Sequence, residues 1–201
     1  MKELNPEFWN ERYATEQTGW DLGMVSPPLK KYFDQLTDKQ LKILVPGAGN
    51  AYEVEYLYKK GFKNIFLLDW AILPLKKFKE RNPDFPEKQL LQKDFFKLSG
   101  EYDLIIEQTF FCALPPSMRE SYSQKIYQLL KPNAKLVGLL FQIPLNTDKP
   151  PFGGSKEEYI DYFSPFFEFI TFETAKNSHP ARIGNEIFMI LKKRTLSNVN
   201  S

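Results

Sequence analysis

The sequence predicts an open, mixed α/β sheet of about seven strands flanked by helices, and three observations carry that prediction. Short apolar runs alternate with amphipathic segments long enough to cross a sheet, which implies parallel pairing. The first apolar run ends in a glycine-bearing turn, Val45-Pro46-Gly47-Ala48-Gly49-Asn50, placed just before a helical segment. The second ends in an acid, Asp69, which lies 69 − 47 = 22 residues beyond Gly47. Strand order does not follow from spacing.

Each element has its own local reason. Asn5-Pro6 supplies an N-cap and a proline at the first helical position, opening a helix over residues 5–16. Ser26-Pro27 repeats the signal for a short helix whose apolar face holds Leu29, Phe33 and Leu36. Residues 41–45 are a buried strand closed by Pro46-Gly47. Residues 52–60 form a helix with Val54, Leu57 and Tyr58 on one face and Gly61 just past its end. Residues 64–68 are the next strand, followed by a helix opened by Pro74 and running to about Arg81. Residues 88–92 make a short strand and 102–106 a stronger one. Met118, Tyr122, Ile126, Leu129 and Leu130 mark one face of a longer helix stopped by Pro132, and residues 134–141 return as a strand. Ser155 and Glu158 form a capping-box pattern. Residues 166–171 and 186–192 close the sheet, and residues 193–201 read as a disordered tail.

One domain is expected from 201 residues. It divides into N-terminal covering helices at 1–36, a nucleoside-binding core at 41–141, and an acceptor-side loop, helix and strand pair at 142–192. A net charge of +2 gives no electrostatic reason to expect nucleic acid or an anionic membrane. Cys112 is the sole cysteine, so neither an intrachain disulfide nor a structural zinc cluster is expected, and no metal site is assigned. The polar N-terminus lacks the apolar core of a signal peptide, and no run of about 18 apolar residues is present. A soluble, cytoplasmic protein is the expectation, with a monomer as default.

The chemistry gathers at the carboxyl ends of the strands, where open α/β sheets bind ligands. Gly47 and Gly49 let the backbone approach a ligand, and Asp69 is placed to accept from two ribose hydroxyls. Glycines at such a turn also serve purely local geometry. The third glycine of a dinucleotide fingerprint is replaced by Tyr52, which favours a nucleoside without a pyrophosphate, such as S-adenosylmethionine, over a nicotinamide dinucleotide. Asp94 is placed to accept from an exocyclic amine with Phe95 on a purine ring; a turn-starting acid beside two core phenylalanines is the competing reading. Glu107-Gln108-Thr109, running into Phe110-Phe111-Cys112, suits the floor of a pocket.

Several blocks together resemble the thiopurine S-methyltransferase family, and most closely its thiol and halide methyltransferase branch, the plant "harmless to ozone layer" type. They are Phe8-Trp9-Asn10-Glu11-Arg12-Tyr13, Thr18-Gly19-Trp20-Asp21-Leu22-Gly23, Val45-Pro46-Gly47-Ala48-Gly49, Asp94-Phe95-Phe96 and Thr109-Phe110-Phe111-Cys112-Ala113. Met118-Arg119, Gly153 with the capping box, and Arg182-Ile183-Gly184-Asn185-Glu186 follow in the family's order. The resemblance spans residues 7–192. It implies a Rossmann-like class I fold, S-adenosyl-L-methionine as cofactor and a small thiol, thiopurine or halide-like acceptor. It also implies cofactor contacts at Trp9, Tyr13, Trp20, Gly47, Asp69, Asp94, Phe95 and Gln108. Tyr13 stands where the branch has tryptophan, and Gln108 where its halide-methylating members carry tyrosine.

An aromatic face stabilises a sulfonium by about 0.5–2 kcal/mol, which suits the N-terminal aromatic residues. Methyl transfer from sulfonium to a thiol needs positioning more than an obligatory base. His179, the only histidine, lies in a Pro-flanked loop and is no compelling base. Cys112 reads as core rather than nucleophile. Arg182 is placed to attract an acceptor anion or to act as an ordinary paired arginine. The loop 142–154, with Phe152 and Tyr159, is a candidate cover. Halide, thiocyanate or bisulfide methylation, a catalytically silent nucleoside-binding domain and a dehydrogenase are the alternatives.

Overall fold

The computed structural model describes residues 4–195 and contains a seven-stranded sheet in the order β3-β2-β1-β4-β5-β7-β6. The strands are β1 (Ile43–Pro46), β2 (Ile65–Asp69), β3 (Leu90–Gln92), β4 (Tyr102–Gln108), β5 (Leu130–Phe141), β6 (Phe167–Thr174) and β7 (Glu186–Lys193). The first five pair in parallel; β7 runs antiparallel between β5 and β6. Successive parallel strands are joined by helical connections, while the last two need only a loop.

Six α-helices complete the described chain: α1 (Pro6–Ala14), α2 (Pro27–Asp34), α3 (Tyr52–Lys59), α4 (Ile72–Arg81), α5 (Arg119–Leu129) and α6 (Lys156–Phe163). Their starts follow the sequence signals. The Asn5 side chain accepts from the Phe8 amide at 2.9 Å, and Ser155 Oγ accepts from the Glu158 amide at 3.2 Å. Alternation along the central strands sends side chains to two cores. Leu44, Ile105 and Leu136 meet Tyr122 and Ile126 of α5 and Tyr159 and Phe163 of α6. Ile43, Val45, Ile65 and Leu67 meet Leu29, Phe33, Val54, Leu57 and Phe78 of α2, α3 and α4.

Several boundaries differ from expectation, and three of them have a physical reason in the contacts. α4 begins at Ile72, two residues before Pro74, which stays in the first turn where its missing N–H has no intrahelical partner to lose. The strand expected at 134–141 already starts at Leu130. Tyr102 pairs with Leu130 and Leu104 with Lys135, and Asn133 takes φ +63 within the irregularity that absorbs the extra residues. Lys193 belongs to β7, and Arg194 is tied to the start of β6 by its amide to the Phe166 carbonyl and its Nε to the Phe167 carbonyl, at 3.0 and 2.8 Å. The remainder of the expected disordered tail, 196–201, lies outside the described residues. No described helix is long and apolar enough to cross a membrane.

The chain runs outward through β1, β2 and β3, then returns to place β4 on the other side of β1. This reversal opens a crevice between the carboxyl ends of β1 and β4, the location such sheets use for ligands.

Candidate active site

A cavity of about 960 Å³ fills that crevice, at the upper end of the volumes typical of small-molecule sites. Its floor begins with the turn after β1. Gly47 has φ +70, and a Cβ there would lie 2.7 Å from Cδ2 of Phe110. Gly49 has φ +53, and a Cβ there would meet nothing closer than the Tyr13 hydroxyl at 3.9 Å, so this backbone stays open to the cavity.

Asp69 ends β2 and is buried at the cavity wall. Its Oδ2 accepts from the Ala48 amide at 3.0 Å and its Oδ1 from the Ala71 amide at 2.8 Å. Burial pushes this carboxyl up to about 7, against the opposing pull of those amides. One side chain thus joins the glycine turn to the start of α4 and presents its remaining lone pairs at a strand end.

The aromatic cover is α1 with the segment after it. Trp20 meets Trp9 and Tyr13 edge to face, with ring centroids 5.7 and 5.8 Å apart, and all three line the cavity. Polar ties seat the cover on the core. Lys77 Nζ donates to the Tyr13 carbonyl at 2.6 Å, and the Leu73 amide donates to Asn10 Oδ1 at 3.0 Å. The Asn50 side-chain amide donates to Asp21, and Arg182 donates to the Trp20 carbonyl. Tyr13 is buried, and that burial raises its hydroxyl pKa well above the ordinary value.

Asp94 and Phe95 both reach the cavity while also serving locally. Asp94 caps the 3-10 turn Phe95–Lys97 by accepting from the Phe96 amide at 2.9 Å, and Phe95 stacks on Tyr122 at 5.5 Å. The local role of this segment is thus present, and both residues stand at the cavity wall. Gln108 differs from expectation: it is not among the lining residues, and its Oε1 is buried without a hydrogen-bond partner. Alternation along β4 puts its side chain on the face of Leu104 and Ile106, away from the segment that forms the floor.

Beyond β4, Phe110, Cys112, Ala113, Leu114, Pro115 and Met118 continue the wall, opposed by Phe141, Ile143, Pro150 and Pro151. The Cys112 thiol donates to the Thr109 carbonyl at 3.3 Å, and burial pushes its pKa up, so it is no thiolate nucleophile. The loop 142–154 is fastened at its far end. The buried Arg119 donates to the Phe152 and Gly153 carbonyls at 3.0 and 2.6 Å and pairs with Glu158 at 2.6 Å. The Phe152 amide donates to the Cys112 carbonyl at 2.7 Å, and the Tyr159 hydroxyl to the Phe141 carbonyl at 2.6 Å.

Arg182 lines the cavity, but its guanidinium is already engaged. It pairs with the buried Glu186 at 3.1 Å, donates to the Trp20 carbonyl and lies over the Phe141 ring at 4.9 Å. His179 is absent from the cavity wall, and its Nδ1 accepts from the Ala181 amide at 3.3 Å. Sequence reasoning missed Trp70, Lys93 and Met118 as wall residues. Trp70 had a usable signal, since it directly follows the acid at a strand end. Thr109, expected on the pocket floor, lines the cavity with φ +60 in the turn it occupies.

A strand-order reversal, a glycine turn, a strand-end acid and an aromatic cover over one apolar cavity define a nucleoside-binding protein of the class I methyltransferase type. The model for the family described as thiopurine S-methyltransferase matches residues 4–193, and the chain belongs to that family; it is an S-adenosylmethionine-dependent methyltransferase. Among its relatives, a probable thiol methyltransferase 2 of Arabidopsis thaliana is 29% identical over 177 residues, covering 85% of this chain and 78% of that protein. Thiocyanate methyltransferase 1 of the same plant is 27% identical, covering 89% and 81%. A thiopurine S-methyltransferase of Shewanella woodyi is 26% identical, covering 92% and 94%. The fold is shared with the solved structure of a Burkholderia thailandensis 1,6-didemethyltoxoflavin-N1-methyltransferase, at TM-score 0.75 and 14% identity, covering 94% of this chain and 86% of that one. Family membership removes the dehydrogenase alternative.

Proposed function

We propose that the protein methylates the sulfur of a small, largely apolar thiol or thiopurine-like acceptor. The observation that carries this reading is the composition of the wall around the acceptor: Cys112, Ala113, Leu114, Pro115, Met118, Phe141 and Ile143, with Arg182 already neutralised by Glu186. A halide ion beside Arg182 would have to compete with Glu186 for the guanidinium, whereas an apolar thiol would be desolvated favourably. Among the described residues, the only carboxylates of the wall are Asp69 and Asp94, and no histidine lines it. An acceptor that ionises by itself near neutrality, as thiols do with a pKa of about 8–9, fits a site without a base there.

The residues present suit S-adenosylmethionine. Gly47 and Gly49 bring backbone to the cavity, Asp69 would hold the ribose, and Asp94 and Phe95 the adenine. Trp9, Tyr13 and Trp20 would face the sulfonium. When bound, the cofactor supplies an electrophilic methyl for in-line displacement by the acceptor sulfur. The chain's own contribution is to align the two, exclude water and keep the cation against aromatic faces.

The test is calorimetric titration with S-adenosylhomocysteine, then turnover on bisulfide, a small aromatic thiol, a thiopurine, thiocyanate and iodide. The expected result is binding, with kcat/KM highest on the bulkier thiols. Iodide or thiocyanate as the best acceptor overturns the thiol reading.

Two substitutions probe the cover. Trp20→Ala is expected to weaken S-adenosylmethionine by about 0.5–2 kcal/mol and S-adenosylhomocysteine by less, because only the former carries the cation. His179→Ala is expected to keep kcat within about twofold of wild type, given its hydrogen bond to the Ala181 amide away from the cavity. A collapse of kcat in the histidine variant, with folding and cofactor binding intact, defeats the base-free mechanism.

A further inference from the structure

Residues 109–115 form one side of the cavity, and their placement depends on a side chain that the cavity does not contain. Glu107, two residues before the turn at Thr109, is fully buried. Its Oε1 accepts from the Phe110 amide at 2.8 Å and the Phe111 amide at 2.9 Å, and its Oε2 accepts from the Tyr122 hydroxyl at 2.5 Å. Thr109, with φ +60, reverses the chain so that those two amides come back onto the carboxylate. The neighbouring strand packs closely on Glu107, since a Cβ at Gly138 would lie 2.4 Å from its Cβ.

The contacts continue to the cofactor side. Tyr122 stacks on Phe95 at 5.5 Å, Phe95 meets Phe110 edge to face at 5.2 Å, and Phe110 packs against Gly47. A buried carboxyl is costly, and burial pushes this one up to about 7; an apolar residue would fill the space at lower cost. Its three donors make it the joint between α5, the wall segment and the glycine turn.

We infer that Glu107 is a positioning residue for methyl transfer. Through the Phe110 and Phe111 amides it fixes the acceptor wall relative to Gly47, without itself touching cofactor or acceptor. This role rests on the methyl-transfer reading above. Displacement at carbon tolerates little misplacement, and a shift of about 1 Å costs on the order of 10²-fold in rate.

The experiment compares Glu107→Asp with Glu107→Gln. Aspartate retracts the carboxylate by one methylene from both amides. Glutamine preserves reach: its oxygen accepts from the amides, and its NH₂ donates to the Tyr122 hydroxyl, which turns to accept. Glu107→Asp is expected to lower kcat on the best thiol about 10–100-fold while the S-adenosylhomocysteine Kd stays within about threefold. Glu107→Gln is expected to retain kcat within about threefold, which general structural damage would not produce. Tyr122→Phe, which leaves the two amide bonds in place, is expected to lose less than Glu107→Asp. Full activity in Glu107→Asp overturns the role, as does a parallel loss of kcat and cofactor binding, or a glutamine variant as impaired as the aspartate one. Wild-type turnover is measured first. If no thiol is methylated, the functional reading falls and takes this role with it; a fully active Glu107→Asp defeats only the role.

Discussion

Replacing Asp69 with alanine is expected to weaken S-adenosylhomocysteine binding by about 1–3 kcal/mol and to lower the melting temperature as well. Both effects have one cause. The carboxylate already accepts from the Ala48 and Ala71 amides, so its removal leaves two buried donors unpaired in addition to the ribose hydroxyls. Asp69→Asn is not expected to rescue the site, because asparagine offers one acceptor and one donor where the protein presents an amide donor to each oxygen. Calorimetry and thermal unfolding on Asp69→Ala and Asp69→Asn check this, and an unchanged Kd removes Asp69 from the cofactor site.

The same residue predicts a pH dependence with a definite sign. Its carboxyl is raised from 3.8 to about 7 in the folded protein. The folded state therefore holds a proton that the unfolded state has released across that interval, and the stability from this group is lost as pH rises through it. Ribose hydroxyls need an acceptor, so binding favours the ionised form. Affinity is expected to climb as pH passes through about 7 and then level off, and Asp69→Asn is expected to abolish that step. Titrations at a series of pH values read it directly, and a wild-type profile flat across neutrality contradicts the assignment.

Much of this architecture is legible in the sequence because its signals are local. A proline behind an asparagine or serine starts α1 and α2, the capping box starts α6, and apolar runs closed by Pro46-Gly47 and by Asp69 place two strand ends at the cavity. The order of the strands is not local, since it depends on which apolar faces pack across long separations. The bulge between α5 and the main run of β5 is hidden for a related reason: Pro132 looks like a helix stop, and only pairing with Tyr102 draws Leu130 into the sheet.

The site divides in the same way. Gly47, Asp69, Asp94 and Phe95 are legible because strand ends are legible. Gln108 is misplaced because side chains alternate along a strand, and one residue decides which face is reached. Its neighbour Glu107 turns to the cavity-floor side and holds the wall from beneath, whereas Gln108 turns away. Arg182 reads as an available charge because Glu186 and the Trp20 carbonyl, which occupy it, come from a strand end and from the distant N-terminal cover. An ion pair made by folding cannot be subtracted beforehand.

Gly47→Ala is expected to lower turnover more than about 100-fold and to weaken cofactor binding at least about tenfold, with the secondary structure intact by circular dichroism. Two costs coincide there. A left-handed conformation costs an L-residue about 1–2 kcal/mol. The new methyl would also sit 2.7 Å from Phe110 Cδ2 and 2.8 Å from Phe110 Cβ, so turning the ring does not relieve the clash. The backbone at Phe110 must move, and that backbone is held by Glu107. Gly49→Ala separates the two costs. It too is left-handed, at φ +53, but its methyl would approach only the Tyr13 hydroxyl, at 3.9 Å, and the Gly47 carbonyl, at 4.0 Å. It is expected to retain far more activity than Gly47→Ala. If the two variants are equally impaired, backbone conformation alone explains the loss. If Gly47→Ala is much the worse, the contact between Gly47 and Phe110 is the point at which cofactor and acceptor sites share one wall, and strain at either is felt by both.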